Sequence, residues 1–285
     1  MLDFYVTKAD GLKEVFYYRK LEDSLRKNGA DENVIKEILD SVGKFGHDGI
    51  TTREIYRKAF SILKRKQRPA AIRYSLKRAI AMLGPTGFPF EKFIGEIFKT
   101  QGYEVLNGVM VKGRCSEHEI DVVAWKEDKL VFVEAKFHTD YNAKSDLKVA
   151  LYVKARYDDL LGLTFNFGGK DRILNEGWII TNTKFSSAAV QYGECQRLNM
   201  VGWNYPYGNN LHNVIEKEEL IPLTALSSIT SSEKNRFITQ GTVLSKGLLD
   251  EKLLKDFGFD EAKIQRVKKE ILVLCEHCRV QYNKK

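Results

Sequence analysis

The stretch HEIDVVAWKEDKLVFVEAKFH, residues 118–138, constrains this chain more than any other. Two alternating runs flank the polar turn Lys126-Glu127-Asp128-Lys129, the pattern of a β-hairpin. With the hairpin centred on that turn, opposed residue numbers sum to 255, so Trp125 meets Leu130, Val123 meets Phe132 and Asp121 meets Glu134. Opposed residues share a face of the sheet, and period two brings Lys136 to the same face. The other face (Ile120, Val122, Ala124, Val131, Val133 and Ala135) is apolar and suited to burial under helices. The register sets two carboxylates side by side, roughly 5 Å apart between Cβ atoms, and directly opposed like charges destabilise a sheet.

A shared divalent cation resolves that conflict. Two carboxylates, a backbone carbonyl and waters suit hard Mg²⁺ or Mn²⁺. Such an ion polarises a phosphate oxygen and activates water. A lysine beside it stabilises charge growing on phosphorus. Asp121 and Glu134 as metal ligands, with Lys136 as the catalytic amine, therefore read as a site for phosphodiester hydrolysis. Upstream, Phe90, Phe93, Ile94, Ile97 and Phe98 form a helical apolar stripe. Glu91 lies at the edge of that stripe and is the acid placed to lean toward the metal, whereas Glu96 lies further round toward solvent.

Around this centre the chain divides into three parts. Residues 1–84 read as a small, mostly helical unit. It opens with a hairpin at Asp10-Gly11, and Thr51 with Glu54 forms a capping box for a helix starting near Thr52. Pro69 is expected to break the pattern before a last helix from Ala71 to Leu83. Residues 85–227 alternate strands and helices, including a long helix over 145–163, which predicts an α/β domain with a mixed sheet. Residues 228–285 read as a helical module with two amphipathic helices joined at Phe257-Gly258-Phe259. The formal charge of +8 is compatible with a polyanionic partner. No apolar run is long enough to span a membrane. The N-terminus lacks a secretory pattern, and only four cysteines occur, so a cytoplasmic, reducing setting is expected. Cys275-Glu-His-Cys278 has the spacing of half a zinc site and is read as structural. Lys144, Lys148, Lys154 and Arg156 are candidate steering charges for DNA, and His138 is read as structural.

Two resemblances sharpen these expectations. Phe90-Glu91, Gly102-Tyr103, Ile120-Asp121, Glu134-Ala135-Lys136 and the later IITNTKFSSAAVQYG resemble the PD-(D/E)xK nuclease superfamily, in particular the Mrr-type restriction endonuclease domain. That resemblance implies a restriction-endonuclease-like fold, a DNA substrate, and Glu91, Asp121, Glu134 and Lys136 as the working residues. In the first unit, Val6-Thr7-Lys8-Ala9-Asp10-Gly11, Glu14, Phe16, Lys20-Leu21, Ser24-Leu25 and Thr51-Thr52-Arg53-Glu54-Ile55, followed by Ala71, Arg73 and Tyr74, resemble the ATP-cone. It implies that Lys8, Lys20 and Thr52 face the phosphates of ATP or dATP, that Val6 and Leu21 flank the base, and that Glu14 meets a polar edge. Together they imply a homo-oligomeric, metal-dependent DNA endonuclease under allosteric nucleotide control. The alternative is a nucleotide-sensing DNA-binding regulator without nuclease activity.

Overall fold

A computed structural model of the chain describes residues 4–8, 11–140, 143–275 and 278. They fall into two compact units, Met1–Leu76 and Lys77–Lys285.

The first unit contains β1 (Tyr5–Thr7), β2 (Lys13–Val15), α1 (Tyr18–Lys27), α2 (Glu32–Phe45), β3 (Ile50–Thr51), α3 (Thr52–Lys66) and most of α4 (Arg68–Ala81). β1 and β2 form the expected antiparallel hairpin, while Asp10 of its turn lies outside the described residues. β3 joins β1 in parallel, with Val6 opposite Ile50 and Thr7 opposite Thr51. The capping box forms as the sequence requires: Thr51 Oγ1 accepts from Glu54 N–H at 3.2 Å, and Glu54 Oε2 accepts from Thr51 N–H at 2.9 Å. The pattern breaks at Gln67, beside the expected Pro69, but the last helix begins at Arg68 rather than Ala71 and takes the proline into its first turn. There the missing N–H forfeits no helical bond. The apolar stripes of α1, α2 and α3 (Leu21, Leu25, Ile35, Ile38, Val42, Ile55 and Leu63) close a core over Val6 and Ile50. Gly29 ends the turn after α1 with φ +75°, and a Cβ there would stand 2.7 Å from Arg73 Nη2. The Arg73 guanidinium uses that space to donate to Asn28 O at 3.1 Å.

In the second unit α5 (Phe88–Thr100) leads into β4 (Glu104–Lys112), β5 (Glu117–Lys126) and β6 (Lys129–Lys136). The chain continues through β7 (Lys144–Ser145), α6 (Leu147–Leu160), β8 (Thr164–Phe167), β9 (Lys170–Ile173), β10 (Glu176–Thr181), β11 (Lys184–Phe185), α7 (Ser187–Cys195) and β12 (Asn199–Val201). The central sheet has the order β12-β10-β6-β5-β4. β12, β10 and β6 run parallel, and β5 and β4 are antiparallel to their neighbours, so the sheet is mixed, as expected. α5 lies on the Val122–Ala124 face: Gly95 sits against Val105 and Asn107, which pair with Ala124 and Val122. Phe90, Phe93 and Ile94 of its stripe are fully buried. The opposite face is closed by Leu160, Phe167 and Leu174 over Val123, Leu130 and Phe132. The β8–β9 hairpin and the short β7–β11 pair escaped sequence reading, the latter because two-residue strands have no period. The long helix starts at Leu147, not at Ser145, because the Asp146 side chain caps Val149 N–H and Ser145 belongs to β7.

The remaining chain is helical: α8 (Leu211–Lys217), α9 (Ser231–Thr239), α10 (Glu251–Asp256) and α11 (Glu261–Leu274), with single 3-10 turns at Leu223–Ala225 and Ser245–Leu249. Gly258, at φ +82°, makes the bend between α10 and α11 where the sequence placed it. Buried Glu270 of α11 accepts from Ser227 N–H, Ser227 Oγ and Ser228 N–H, which ties the helix to the preceding loop. Cys275 and Cys278 are joined by a disulfide, a pairing the sequence reading had not assigned to them, and Cys115 and Cys195 are free and exposed. His277 lies outside the described residues. No described helix is long and apolar enough to cross a membrane.

Candidate active site

The β5–β6 ladder keeps the register read from the sequence: Trp125 opposes Leu130, Val123 opposes Phe132 and Val122 opposes Val133. The described pairing stops there, one step short of Asp121 and Glu134. At that point Asp121 Oδ2 accepts the Ala135 N–H at 2.7 Å. A side chain takes the place of a ladder carbonyl, and the strands part around the two acids.

Four sequence-selected residues meet at this opening. Glu134 is buried at 8% exposure and Asp121 is half-buried. Glu91 stands half-buried on the first turn of α5. Burial, together with the charges of Asp121, Glu119 and Glu134, pushes the Glu91 carboxyl up to about 7. Burial and Glu134 likewise push Asp121 up to about 6, against the opposing hydrogen bond from Ala135. Both shifts mark a place where negative charge is crowded and poorly solvated. Lys136, last in β6, donates to Glu134 Oε1 at 2.5 Å.

Two further residues complete the cluster and were not assigned to it from the sequence. Arg156 of α6 donates to Glu134 Oε2 and to the Glu119 carbonyl. The sequence reading had left this arginine as a steering charge for DNA, whereas the structure places it within the acids. Asn107 of β4 donates through Nδ2 to the Glu91 carbonyl at 3.0 Å and to the Asp121 carbonyl at 3.2 Å. It clamps the helix acid to the strand acid through their backbones. The available signal was its place in β4, a polar side chain at a position whose sheet neighbours are apolar. Glu96 turns away and pairs with Lys99, as the stripe predicted.

The donors are all oxygen, which suits a hard cation. Among the described residues no three acid, histidine or cysteine side chains stand together at ligand spacing. Both Glu134 oxygens are turned to Lys136 and Arg156, so ligation by Glu134 requires that it leave at least one of them.

The other candidates separate. His138 meets Ser145 Oγ at 3.0 Å, and its backbone N–H and carbonyl both bond the buried Asn182 side chain, so it organises the β6–β7 connection. Lys154 is engaged by Asp158. Lys144 and Lys148 are exposed.

In the first unit, parallel pairing of β1 with β3 brings Lys8, which follows β1, beside the N-terminus of α3, where Thr52 is exposed. Lys8 pairs with Glu14 at 2.7 Å, joining two candidate nucleotide residues to each other. Lys20 lies over the Tyr17 ring at 4.7 Å. Val6 and Leu21 sit in the core at 1% and 7% exposure. Of the basic run in α3, Arg65 and Lys66 pair with Glu37.

Comparison with known proteins bears on the second unit. A restriction endonuclease family model matches residues 84–204. A second model, described as AF1548-like, C-terminal, matches residues 222–275. The two matches fall on successive stretches of the second unit, 84–204 and 222–275. An uncharacterized protein of Archaeoglobus fulgidus is 30% identical over 176 residues, which is 61% of this chain and 95% of that protein. The chain belongs to the AF1548-like family. The crystal structure of the protein of unknown function AF1548 superimposes with a TM-score of 0.53 at 27% identity, covering 66% of this chain and 98% of that one. The MspJI restriction endonuclease bound to a 27-mer oligonucleotide is more distant, with a TM-score of 0.30 and 14% identity over 59% of this chain and 39% of that one.

Proposed function

We propose that the chain is a metal-dependent DNA endonuclease whose nuclease domain covers residues 85–227, flanked by a nucleotide-binding domain at 1–84 and a helical module at 228–285. The observation that carries this reading is the meeting of Glu91, Asp121, Glu134 and Lys136 where β5 and β6 part, inside a segment matched by a restriction endonuclease family model. Asp121 and Glu134 would hold Mg²⁺ or Mn²⁺, which when bound polarises a phosphate oxygen and acidifies water.

The chain's own residues supply the rest. Lys136 orients the attacking water and faces the charge that grows on the phosphoryl oxygens. The water oxygen bonds to phosphorus in line with the departing sugar oxygen, whose bond to phosphorus breaks. Glu91, a half-buried carboxylate on the first turn of α5, accepts the water proton. Asn107 keeps Glu91 and Asp121 in fixed relation, and Arg156 neutralises Glu134 between turnovers.

The first unit would bind ATP or dATP and set the activity of the nuclease by its differential affinity for two arrangements of the protein. Lys8, Lys20 and Thr52 would take the phosphates, Val6 and Leu21 the base side, and Glu14 a polar edge. The apposition of Lys8 with the α3 N-terminus supports the phosphate part, because free N–H groups there attract anions.

The test is supercoiled plasmid incubated with the full chain and Mg²⁺ or Mn²⁺, with and without ATP or dATP. Wild type nicks or linearises it, and Glu134→Ala and Lys136→Ala do not. DNA binding without cleavage under every metal and nucleotide condition would refute the nuclease reading in favour of a regulator. Calorimetric titration of ATP into the full chain tests the first unit, and no heat of binding would refute the nucleotide assignment.

A further inference from the structure

Helix α6 carries a surface feature that catalysis by the acids does not use. Lys148, Tyr152 and Arg156 recur every four residues and so line one stripe of the helix, spanning about 12 Å along its axis. The core-facing residues of α6 are Ala150, Val153 and Leu160, so Tyr152 contributes nothing to that packing and is 57% exposed. Single exposed aromatic residues are ordinary. The position of this one is not: Arg156 Cζ lies 5.3 Å and Lys136 Nζ 6.0 Å from its ring centroid. Both cations engage Glu134. The ring therefore stands at the lip of the acidic opening, between an exposed lysine and the two cations of the site.

A basic–aromatic–basic stripe is the chemistry that tracks a single strand. Cations take the phosphates while a π-face takes a base. A ring can reach a base face only when that base is unstacked, because in a continuous duplex both faces are covered by neighbours.

We propose that Lys148 and Tyr152 form a single-strand track along α6, with Lys148 taking a phosphate and Tyr152, held beside Arg156 at the acidic opening, stacking on an unpaired base beside the phosphate that is cut. The substrate class is then DNA with unpaired nucleotides at the cleavage point (single strands, flaps or forks) rather than uninterrupted duplex. The inference rests on the nuclease reading and makes Tyr152 its specificity determinant.

Binding is measured by fluorescence anisotropy with the full chain, in Ca²⁺ to withhold cleavage, on single-stranded, forked and blunt duplex oligonucleotides of one sequence. A 2-aminopurine placed in the unpaired segment reports stacking. Wild type binds the single-stranded and forked DNA more tightly than the duplex and quenches 2-aminopurine. Tyr152→Phe keeps both properties. Tyr152→Ala weakens single-strand binding by roughly 5- to 150-fold, loses the quenching and leaves duplex binding unchanged. A circular-dichroism melt confirms that the variant is folded. Unchanged affinity and quenching in Tyr152→Ala, or a wild-type preference for duplex, would overturn the track. A parallel digestion in Mg²⁺ separates the two readings. Loss of stacking in Tyr152→Ala with no DNA cut by wild type leaves the track standing and removes the nuclease. Cleavage that is indifferent to Tyr152 keeps the nuclease and removes the track.

Discussion

Asn107 makes a demanding test, because it touches no reacting atom in the proposed chemistry and yet holds two residues that do. Asn107→Ala deletes both of its bonds, at 3.0 Å to Glu91 O and 3.2 Å to Asp121 O. Each contributes about 1 kcal/mol net to stability, so the variant loses about 2 kcal/mol. For a unit the size of Lys77–Lys285 that amounts to a fall in Tm of about 4–8 °C. The larger effect is expected on the metal. Freed from the clamp, the Glu91 turn and the Asp121 strand move independently, and loss of a partner that orients metal ligands typically costs about 10- to 100-fold in affinity or activity. Mn²⁺ binding to the full chain, followed by electron paramagnetic resonance of the free ion, gives that affinity directly, and a thermal melt gives the stability. Ile264→Val, a core truncation in α11 costing about 0.5–1.5 kcal/mol, controls for destabilisation alone and should leave Mn²⁺ affinity unchanged. If Asn107→Ala lowers Tm but binds Mn²⁺ like wild type, the clamp is structural only and the reasoning fails.

Three further outcomes are expected. Arg156→Gln frees one Glu134 oxygen and removes a unit charge beside the ion, a repulsion of about 8 kcal/mol between a divalent ion and a unit charge 4 Å apart near a protein surface, so Mn²⁺ affinity should rise tenfold or more. Unchanged affinity would show that Glu134 is not a ligand. The His118 side chain and the N–H groups of Cys115 and Ser116 hold Asp159 down to about 2, so its stabilising contribution is full above pH 4 and disappears as pH falls from 4 toward 2. Acid unfolding of Asp159→Asn should lack that part of the slope, and identical acid limbs would contradict it. Thr51→Ala removes the capping box of α3 at a cost of about 0.5–2 kcal/mol, visible as faster amide exchange in the first turn of that helix and in its neighbours β1 and β3. No change in exchange there would disprove the cap's contribution.

The legible parts of the molecule were those with a short period. Alternation over residues 118–136 dictated the hairpin register, because a slip of one residue would have put Asp121 and Glu134 on opposite faces of the sheet. The stripe in α5 oriented Glu91 for the same kind of reason. The less legible parts were interactions that close over long separations. Arg156 meets Glu134 across 22 residues, and Asn107 meets Glu91 across 16, with no local pattern announcing either contact. The break beside Pro69 was legible, but α4 was started three residues late because a proline is also tolerated in the first turn of a helix. The β7–β11 pair is set by the loops that carry it, and Lys144 beside Lys184 has no β-propensity to reveal it.

The substitution of Asp121 Oδ2 for a ladder carbonyl at Ala135 has a practical corollary. That single amide is wired to a titratable oxygen, whereas its neighbours in β6 are held by strand partners on either side. Its nuclear resonance frequency should therefore shift whenever Asp121 gains a proton, captures an ion or swings toward a phosphate. One unlabelled backbone signal would then serve as a native gauge of the centre's state, readable in the intact protein without a probe attached.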